Sequence, residues 1–386
     1  MNKIRKICVV VTARPSYSRI KTALLAIDSH PDLELQLVLA GSALLNRYGS
    51  SDKIIEKDGF KITAKVYSIL EGENLAAAAK TTGIGLSELS NVFLNIRPDI
   101  VVSIADRFET ISTSIAAAYM NIPLAHIQGG EVTGNIDEKV RHANTKLADY
   151  HFVSSINAYN RVIKLGENPK YVFNVGCPSI DLAKKVLSTN LDFDHLSDKY
   201  PGIGSKIDLN NPYLVVMQHP VTNEYSMSKV HVEKTLHAIN ELKLPTFWFW
   251  PNVDAGSDGT SKGIRSFREN NDLKFVNFIK NMEPQDFLIL LKNSKCLIGN
   301  SSVGIRECSF LGVPVVNIGS RQNRRDRGFN VIDVEYDKNK IKNAINKWIN
   351  SPKPELSEVY GGGQAGAEIA EILSKVDLTF HKTIMY

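Results

Sequence analysis

Short, unbroken apolar runs alternating with amphipathic stretches constrain this chain more than any other feature. KICVVVT at residues 6–12 leads through ARPSYS into RIKTALLAI, and the rhythm repeats. LELQLVLAG follows, then PDIVVSIAD before FETISTSIAAAYM, IPLAHIQGGE before KVRHANTKLAD, YHFVSS before INAYNRVIKLG, and YVFNVGCPS. A strand apolar on both faces must be covered on both, and crossover helices supply that cover. The expectation is a parallel sheet with helices on either side.

The rhythm weakens between about Ile180 and Asn211, where the sequence turns polar with Pro and Asp, and this stretch is the best domain boundary. A second series then runs through PYLVVMQHP, a helix over SMSKVHVEKTLHAINEL, PTFWFWPN, a polar helix, DLKFVNFI and a helix over PQDFLILLKN. It continues with KCLIGNSS, a helix over VGIRECSFLG, VPVVNIG and a helix over KIKNAINKWIN. The fold class expected is α/β, two Rossmann-like doubly wound domains facing a cleft at the carboxyl ends of their strands. The boundaries read as 1–182, 183–362 and a last segment, 363–386, whose glycine-led helix packs back across the first domain. A length of 386 residues fits two or three domains of roughly 150.

Composition narrows the class. Hydrophobic residues at 43% and charged residues at 23% exclude disorder, collagen and coiled coil as the main architecture. Forty-six Lys and Arg against forty-one Asp and Glu leave +5, too mild and scattered to imply a nucleic-acid partner, although a local anionic ligand fits. Cys8, Cys177, Cys296 and Cys308 lack metal-ligand spacing and read as buried free thiols of a reducing compartment. The first apolar run is too short for a secretory or membrane segment, so a cytoplasmic protein without a membrane partner is expected.

In an open α/β sheet the residues just after each strand face the ligand. Asp106 and Arg107 follow PDIVVSIA, and Gly129-Gly130-Glu131 follows IPLAHIQ one strand-helix unit later. If these strands are neighbours, about 5 Å separates their backbones and the two carboxylates converge. Such a pair can divide acid and base duties. The plainer reading makes Asp106 the cap of a helix starting near Phe108. Asp137 and Arg141, four apart in NIDEKVRHANTK beside His142, read either as a solvated ion pair or as residues turned to the same cleft by a helix that leaves the Gly-Gly-Glu loop.

TARPSYSR lacks the dinucleotide glycine signature, and no Walker lysine or HExxH motif occurs, so no cofactor and no metal are expected. Arg14, Ser16 and Ser18 lie at a strand-to-helix junction suited to a phosphate, and Asn300-Ser301-Ser302 repeats the offer in the second series, although both also read as simple helix caps. Together they suggest a diphosphate held across the cleft. His219 reads as a core histidine or as a donor or acid toward a departing phosphate, and Arg321, Arg324, Arg325 and Arg327 as a solvated loop or a cleft wall.

ADRFET, HIQGGEVTGNIDEKVRHANTKLADYHFVSS, VGCPSID, QHPVTNE, WPNVDAGSDG, IGNSSVGIRE and NIGSRQNRRDRG occur in order across nearly the whole chain. This ordered set resembles the hydrolysing UDP-N-acetylglucosamine 2-epimerases, the bacterial enzymes of sialic-acid synthesis and the epimerase half of the bifunctional animal enzyme. The resemblance implies a glycosyltransferase-B type fold and conversion of UDP-N-acetylglucosamine and water to N-acetylmannosamine and UDP, without a kinase activity. It implies Asp106, Glu131 and Asp137 as catalytic carboxylates, with Arg107, Arg141 and His219 around sugar and diphosphate. It places Arg14, Ser18, Ser301, Ser302 and Glu307 at the nucleotide, Glu307 on the ribose hydroxyls, and Asn252 and Asp254 at the cleft border, and Arg321 of the basic run is the further candidate for UDP binding. A homodimer or homotetramer is the assembly it suggests.

The residues leave other readings open. A related hydrolysing enzyme acts on a UDP- or GDP-linked 2,4-diacetamido-trideoxy sugar of the legionaminic-acid route. A non-hydrolysing epimerase, a glycosyltransferase on the same fold and a non-catalytic sensor are further alternatives, with the GGEVTGNIDEKVRH spelling favouring hydrolysis.

Overall fold

The structure is a computed structural model that describes residues 4–45, 51–70, 75–132, 136–189, 193–251, 256–379 and 382–385. Contacts divide the chain into one unit of Met1–Asp181 with Tyr360–Tyr386 and a second of Leu182–Val359.

The first unit holds strands β1 (Arg5–Val11), β2 (Leu33–Ala40), β3 (Ile62–Val66), β4 (Ile100–Ile104), β5 (Leu124–Ile127), β6 (Tyr150–Val153) and β7 (Val172–Asn174). They form one parallel sheet in the order β3-β2-β1-β4-β5-β6-β7. Alternation along β1 supplies both cores. Ile7, Val9 and Val11 pack with Ile20, Leu24 and Ile27 of the helix Arg14–Ser29, while Cys8 and Val10 pack with Leu89 and Phe93 on the other face. The helix Ala365–Lys375 returns to this unit and lies so close to Arg14–Ser29 that a Cβ on Gly366 would meet the Thr22 carbonyl carbon at 2.7 Å. Asp181 fixes that approach, accepting from Ala365 N at 2.9 Å, Gly366 N at 2.8 Å and Thr22 Oγ1 at 2.8 Å.

The second unit holds β8 (Ile203–Gly204), β9 (Leu214–Met217), β10 (Thr246–Phe249), β11 (Val276–Ile279), β12 (Cys296–Gly299), β13 (Val315–Ile318) and β14 (Val331–Val334). Their order is β14-β13-β12-β9-β10-β11-β8, parallel except for β8 against β11. Trp248, Val216, Ile298 and Val316 build its core with Leu236 and Ile345 from the helices Ser228–Leu242 and Lys338–Ile349. The helix expected over VGIRECSFLG is two short ones, Ser302–Ile305 and Glu307–Leu311, because Arg306 between them leaves helical geometry at φ −100°, ψ −78°. No helix among the described residues is long and apolar enough to cross a membrane.

In a doubly wound sheet the ligand crevice lies beyond the carboxyl ends where the strand order reverses. That point falls between β1 and β4 in the first unit and between β9 and β12 in the second.

Candidate active site

Asp106 and Glu131 follow the neighbouring strands β4 and β5, and both are buried. Two left-handed residues, Ala105 at φ 59° and Gln128 at φ 67°, turn the chain sharply out of each strand end. Gly130, at φ 74°, lets the loop rest on the helix Ile156–Lys164, where a Cβ would stand 2.3 Å from the Ala158 carbonyl oxygen. No side chain fits there, which explains the glycine before Glu131.

Arg141, on the helix Ile136–Leu147, is 1% exposed and joins the two acids. Its Nη2 donates to Asp106 Oδ2, and its Nη1 lies 3.5 Å from Glu131 Oε2. Ser154, just after β6, donates its hydroxyl to Glu131 Oε1 at 2.6 Å. The plain readings of both residues therefore fail. Asp106 is no helix cap, since the following helix is Thr110–Tyr119 with Glu109 at its cap position, and Arg141 is no solvated surface cation. Two carboxylates and one guanidinium cost several kcal/mol of desolvation per ion, which only close pairing offsets.

Beneath this trio lies a neutral platform. His126 Nε2 meets the Ala105 carbonyl at 2.9 Å and its Nδ1 meets Thr145 Oγ1 at 3.1 Å. Burial brings the His126 pKa down to about 4, keeping the ring uncharged at neutral pH. Asn144 donates to Thr110 Oγ1 at 2.9 Å and ties the same helix to the one behind β4.

Arg107 turns aside from the trio, its Nε 3.3 Å from Glu109 Oε1. Glu109 is 4% exposed, also accepts from Ser42 Oγ at 3.0 Å, and has a second carboxylate oxygen with no hydrogen-bond partner. It was not visible in the sequence as a site residue, although it stands at the switch point beside β1. Arg14 opens the helix that follows β1, and Ser18, exposed one turn on, donates to the Arg14 carbonyl at 3.4 Å. Asp137 has a described helical backbone but its side chain lies outside the described residues, as do Asn252 and Asp254 altogether.

In the second unit the switch point is occupied by His219, after β9, and Asn300, after β12. His219 N donates to Asn300 Oδ1 at 2.7 Å while Asn300 Nδ2 donates to the His219 carbonyl at 2.8 Å. The Asn300 carbonyl accepts from Arg321 Nη1 at 3.2 Å and Gln322 Nε2 at 2.9 Å. Burial, with the Arg321 charge nearby, pushes the His219 pKa down to about 3, which favours the neutral ring at neutral pH. Ser301 caps the following short helix through Val303 N at 3.4 Å, Ser302 is its first residue, and Glu307 opens the next helix. Of the basic run, Arg321 reaches this cluster, whereas Arg327 is spent on Asp333 at 2.7 and 3.0 Å. Among the described residues no group of three His, Cys, Asp or Glu is disposed to hold a metal.

The family model for UDP-N-acetylglucosamine 2-epimerase matches residues 25–374. A hydrolysing UDP-N,N'-diacetylbacillosamine 2-epimerase of Legionella pneumophila is 32% identical over 97% of this chain and 97% of its own. Polysialic acid biosynthesis protein P7 of Escherichia coli is 34% identical over 89% of this chain and 86% of its own. The crystal structure of the UDP-GlcNAc 2-epimerase of Neisseria meningitidis bound to UDP-GlcNAc superposes with a TM-score of 0.81, at 19% identity, over 95% of this chain and 99% of that one, and so shares the two-domain fold of the glycosyltransferase-B type. With a family model spanning most of its length and relatives above 30% identity along nearly all of it, the chain belongs to the UDP-N-acetylglucosamine 2-epimerase family.

Proposed function

We propose that the protein is a hydrolysing UDP-N-acetylglucosamine 2-epimerase that converts UDP-N-acetylglucosamine and water to N-acetylmannosamine and UDP for sialic-acid synthesis. The observation that carries the reading is the Arg141 guanidinium shared between Asp106 and Glu131 at the carboxyl edge of adjacent strands. The name of the Escherichia coli relative supports the sialic-acid route, and the four buried free thiols fit a reducing compartment.

The sugar's C2 proton is not beside a carbonyl, so its removal must accompany loss of UDP from C1. A carboxylate takes the C2 proton as the C1–O bond breaks, the electron pair leaves with UDP, and a C1=C2 double bond forms. Water then adds its oxygen at C1 as a carboxylate takes its proton, and an acid protonates C2 on the opposite face, inverting that centre. Glu131 or Asp106 is assigned to C2 and Asp137 to the hydration step. Arg107 and Arg141 stabilise the developing charge from the first unit. His219, as a neutral donor, and Arg321 are assigned to the diphosphate, and Ser301, Ser302, Glu307, Arg14 and Ser18 to the nucleotide.

The Legionella pneumophila relative favours a second reading of the same chemistry, with a UDP-linked 2,4-diacetamido-trideoxy sugar as substrate. Incubating the purified protein with each nucleotide sugar and following the products by NMR tests both. Free N-acetylmannosamine with UDP is the expected result. Turnover of the diacetamido substrate alone selects the second reading, and an intact epimerised UDP-sugar overturns the hydrolytic assignment.

A further inference from the structure

Beyond the helix Ala365–Lys375, residues 376–379 and Lys382 are bound to the amino edge of the first sheet, opposite the candidate site. Arg5, at the start of β1, donates Nη1 to Leu373 O at 2.6 Å and to Val376 O at 2.9 Å. Tyr150, at the start of β6, donates its hydroxyl to Asp377 O and accepts from Thr379 N at 3.1 Å. Lys382 reaches furthest inward. Its Nζ donates to Thr145 O at 3.1 Å and to Ala148 O, and it pairs with Glu167, whose carboxylate also holds Lys146 at 2.7 Å and His151 Nε2 at 3.0 Å. A lysine on the last carbonyls of a helix is the electrostatically favoured partner of that end.

The helix so closed is Ile136–Leu147, and Thr145 lies one turn along from Arg141 on the same face. The Thr145 hydroxyl supports His126, and His126 supports the Ala105 carbonyl, one residue before Asp106. Gly129 packs on the same pair so tightly that a Cβ there would stand 2.9 Å from Thr145 Oγ1 and 3.1 Å from His126 Nδ1. The helix bearing Arg141, the turn bearing Asp106 and the loop bearing Glu131 thus rest on Thr145 and His126, both fully buried. Close packing transmits a shift of that platform to all three.

We propose that Lys382 is a positioning residue for the Asp106–Glu131–Arg141 centre, fixing its platform from the far edge of the sheet by closing the helix end at Thr145 and Ala148. The inference rests on reading that trio as the reaction centre. The test uses the full chain carrying Lys382→Ala or Lys382→Arg, with kcat normalised to the folded fraction and amide hydrogen exchange followed over residues 142–149. Lys382→Ala should lower kcat about 10- to 100-fold, as displacement of a reacting geometry does, while KM moves less than about 3-fold and exchange quickens. Lys382→Arg should recover most of both. A Lys382→Ala kcat within about 2-fold of the parent, unchanged exchange, or a loss matched by the unfolded fraction overturns the proposal. Should the parent turn over no nucleotide sugar, the functional reading fails by itself, and exchange alone decides whether Lys382 closes the helix end: faster in Lys382→Ala supports it, unchanged refutes it.

Discussion

Arg141 Nη1 stands 3.5 Å from Glu131 Oε2 while the Nη2 of the same guanidinium is hydrogen-bonded to Asp106, so one buried cation serves two buried acids. Removing it strands both charges. Arg141→Met, similar in length, should cost about 3–5 kcal/mol of stability, measured by denaturant unfolding, and abolish turnover. Arg141→Lys keeps the charge but not the planar fork, so it should lose less stability and still lose most of kcat.

Glu131→Gln retains the shape and an acceptor for the Ser154 hydroxyl, which lies 2.6 Å from Glu131 Oε1. It should therefore fold normally while kcat falls by about 10²- to 10⁴-fold, the usual worth of a general acid or base. Ser154→Ala removes only one bond to that carboxylate and should cost far less in steady-state kinetics. A Glu131→Gln enzyme at the parent rate would remove Glu131 from the chemistry.

The interior strands were legible because burial on both faces writes them as continuous apolar runs, and β4, β5 and β6 are buried at every residue. The edges were not. KITAKV alternates between exposed and half-buried positions in β3 until the buried Val66, and VIDV of β14 is only half-buried, so neither stands out from a loop. The long helix Leu75–Ile96 is equally hard to read, its pattern broken by Gly83 and Gly85, the latter packed where a Cβ would meet Ser112 Oγ at 3.0 Å. For the site, Asp106 and Glu131 were readable as residues just beyond apolar runs, and Arg141 as a charge on the helix that leaves the Gly-Gly-Glu loop. Ser154, Glu109 and Thr145 were not, because their partners are set by strand order, which sequence spacing does not encode. The pairing of Asn300 with the His219 main chain is of the same kind, a contact across neighbouring strands 81 residues apart.

Asn300→Ala deletes both bonds to the His219 main chain, at 2.7 and 2.8 Å, and leaves a buried N–H and C=O unpaired. A loss of about 2–4 kcal/mol is expected in the unfolding of the second unit. Asn300→Asp keeps the acceptor but not the donor and should recover only part of it. The bonds from Arg321 and Gln322 go to the Asn300 main-chain carbonyl and survive either change, so an unaltered melting curve for Asn300→Ala would show the reciprocal pair to be energetically idle.

Acid should destabilise both units through buried histidines. His126 and His219 are held neutral, with pKa values pushed down to about 4 and about 3, chiefly by burial, against about 6.5 in an unfolded chain. Below pH 6.5 the unfolded state binds protons that the folded state refuses, so stability is fully present above that value and declines as pH falls toward the folded pKa. At pH 5 each ring contributes a loss of about 2 kcal/mol relative to neutral pH. Glu167, held down at about 2 by His151, Lys146 and Lys382 against its own burial, stays charged throughout this window and adds no slope, while Asp149, raised by burial, works weakly the other way. Thermal melting between pH 7.5 and 5 checks the balance. His219→Asn, which preserves the main-chain groups that Asn300 holds, should flatten the dependence of the second unit by about one proton, and an equal slope in parent and variant would mean that folding leaves the His219 pKa at its unfolded value.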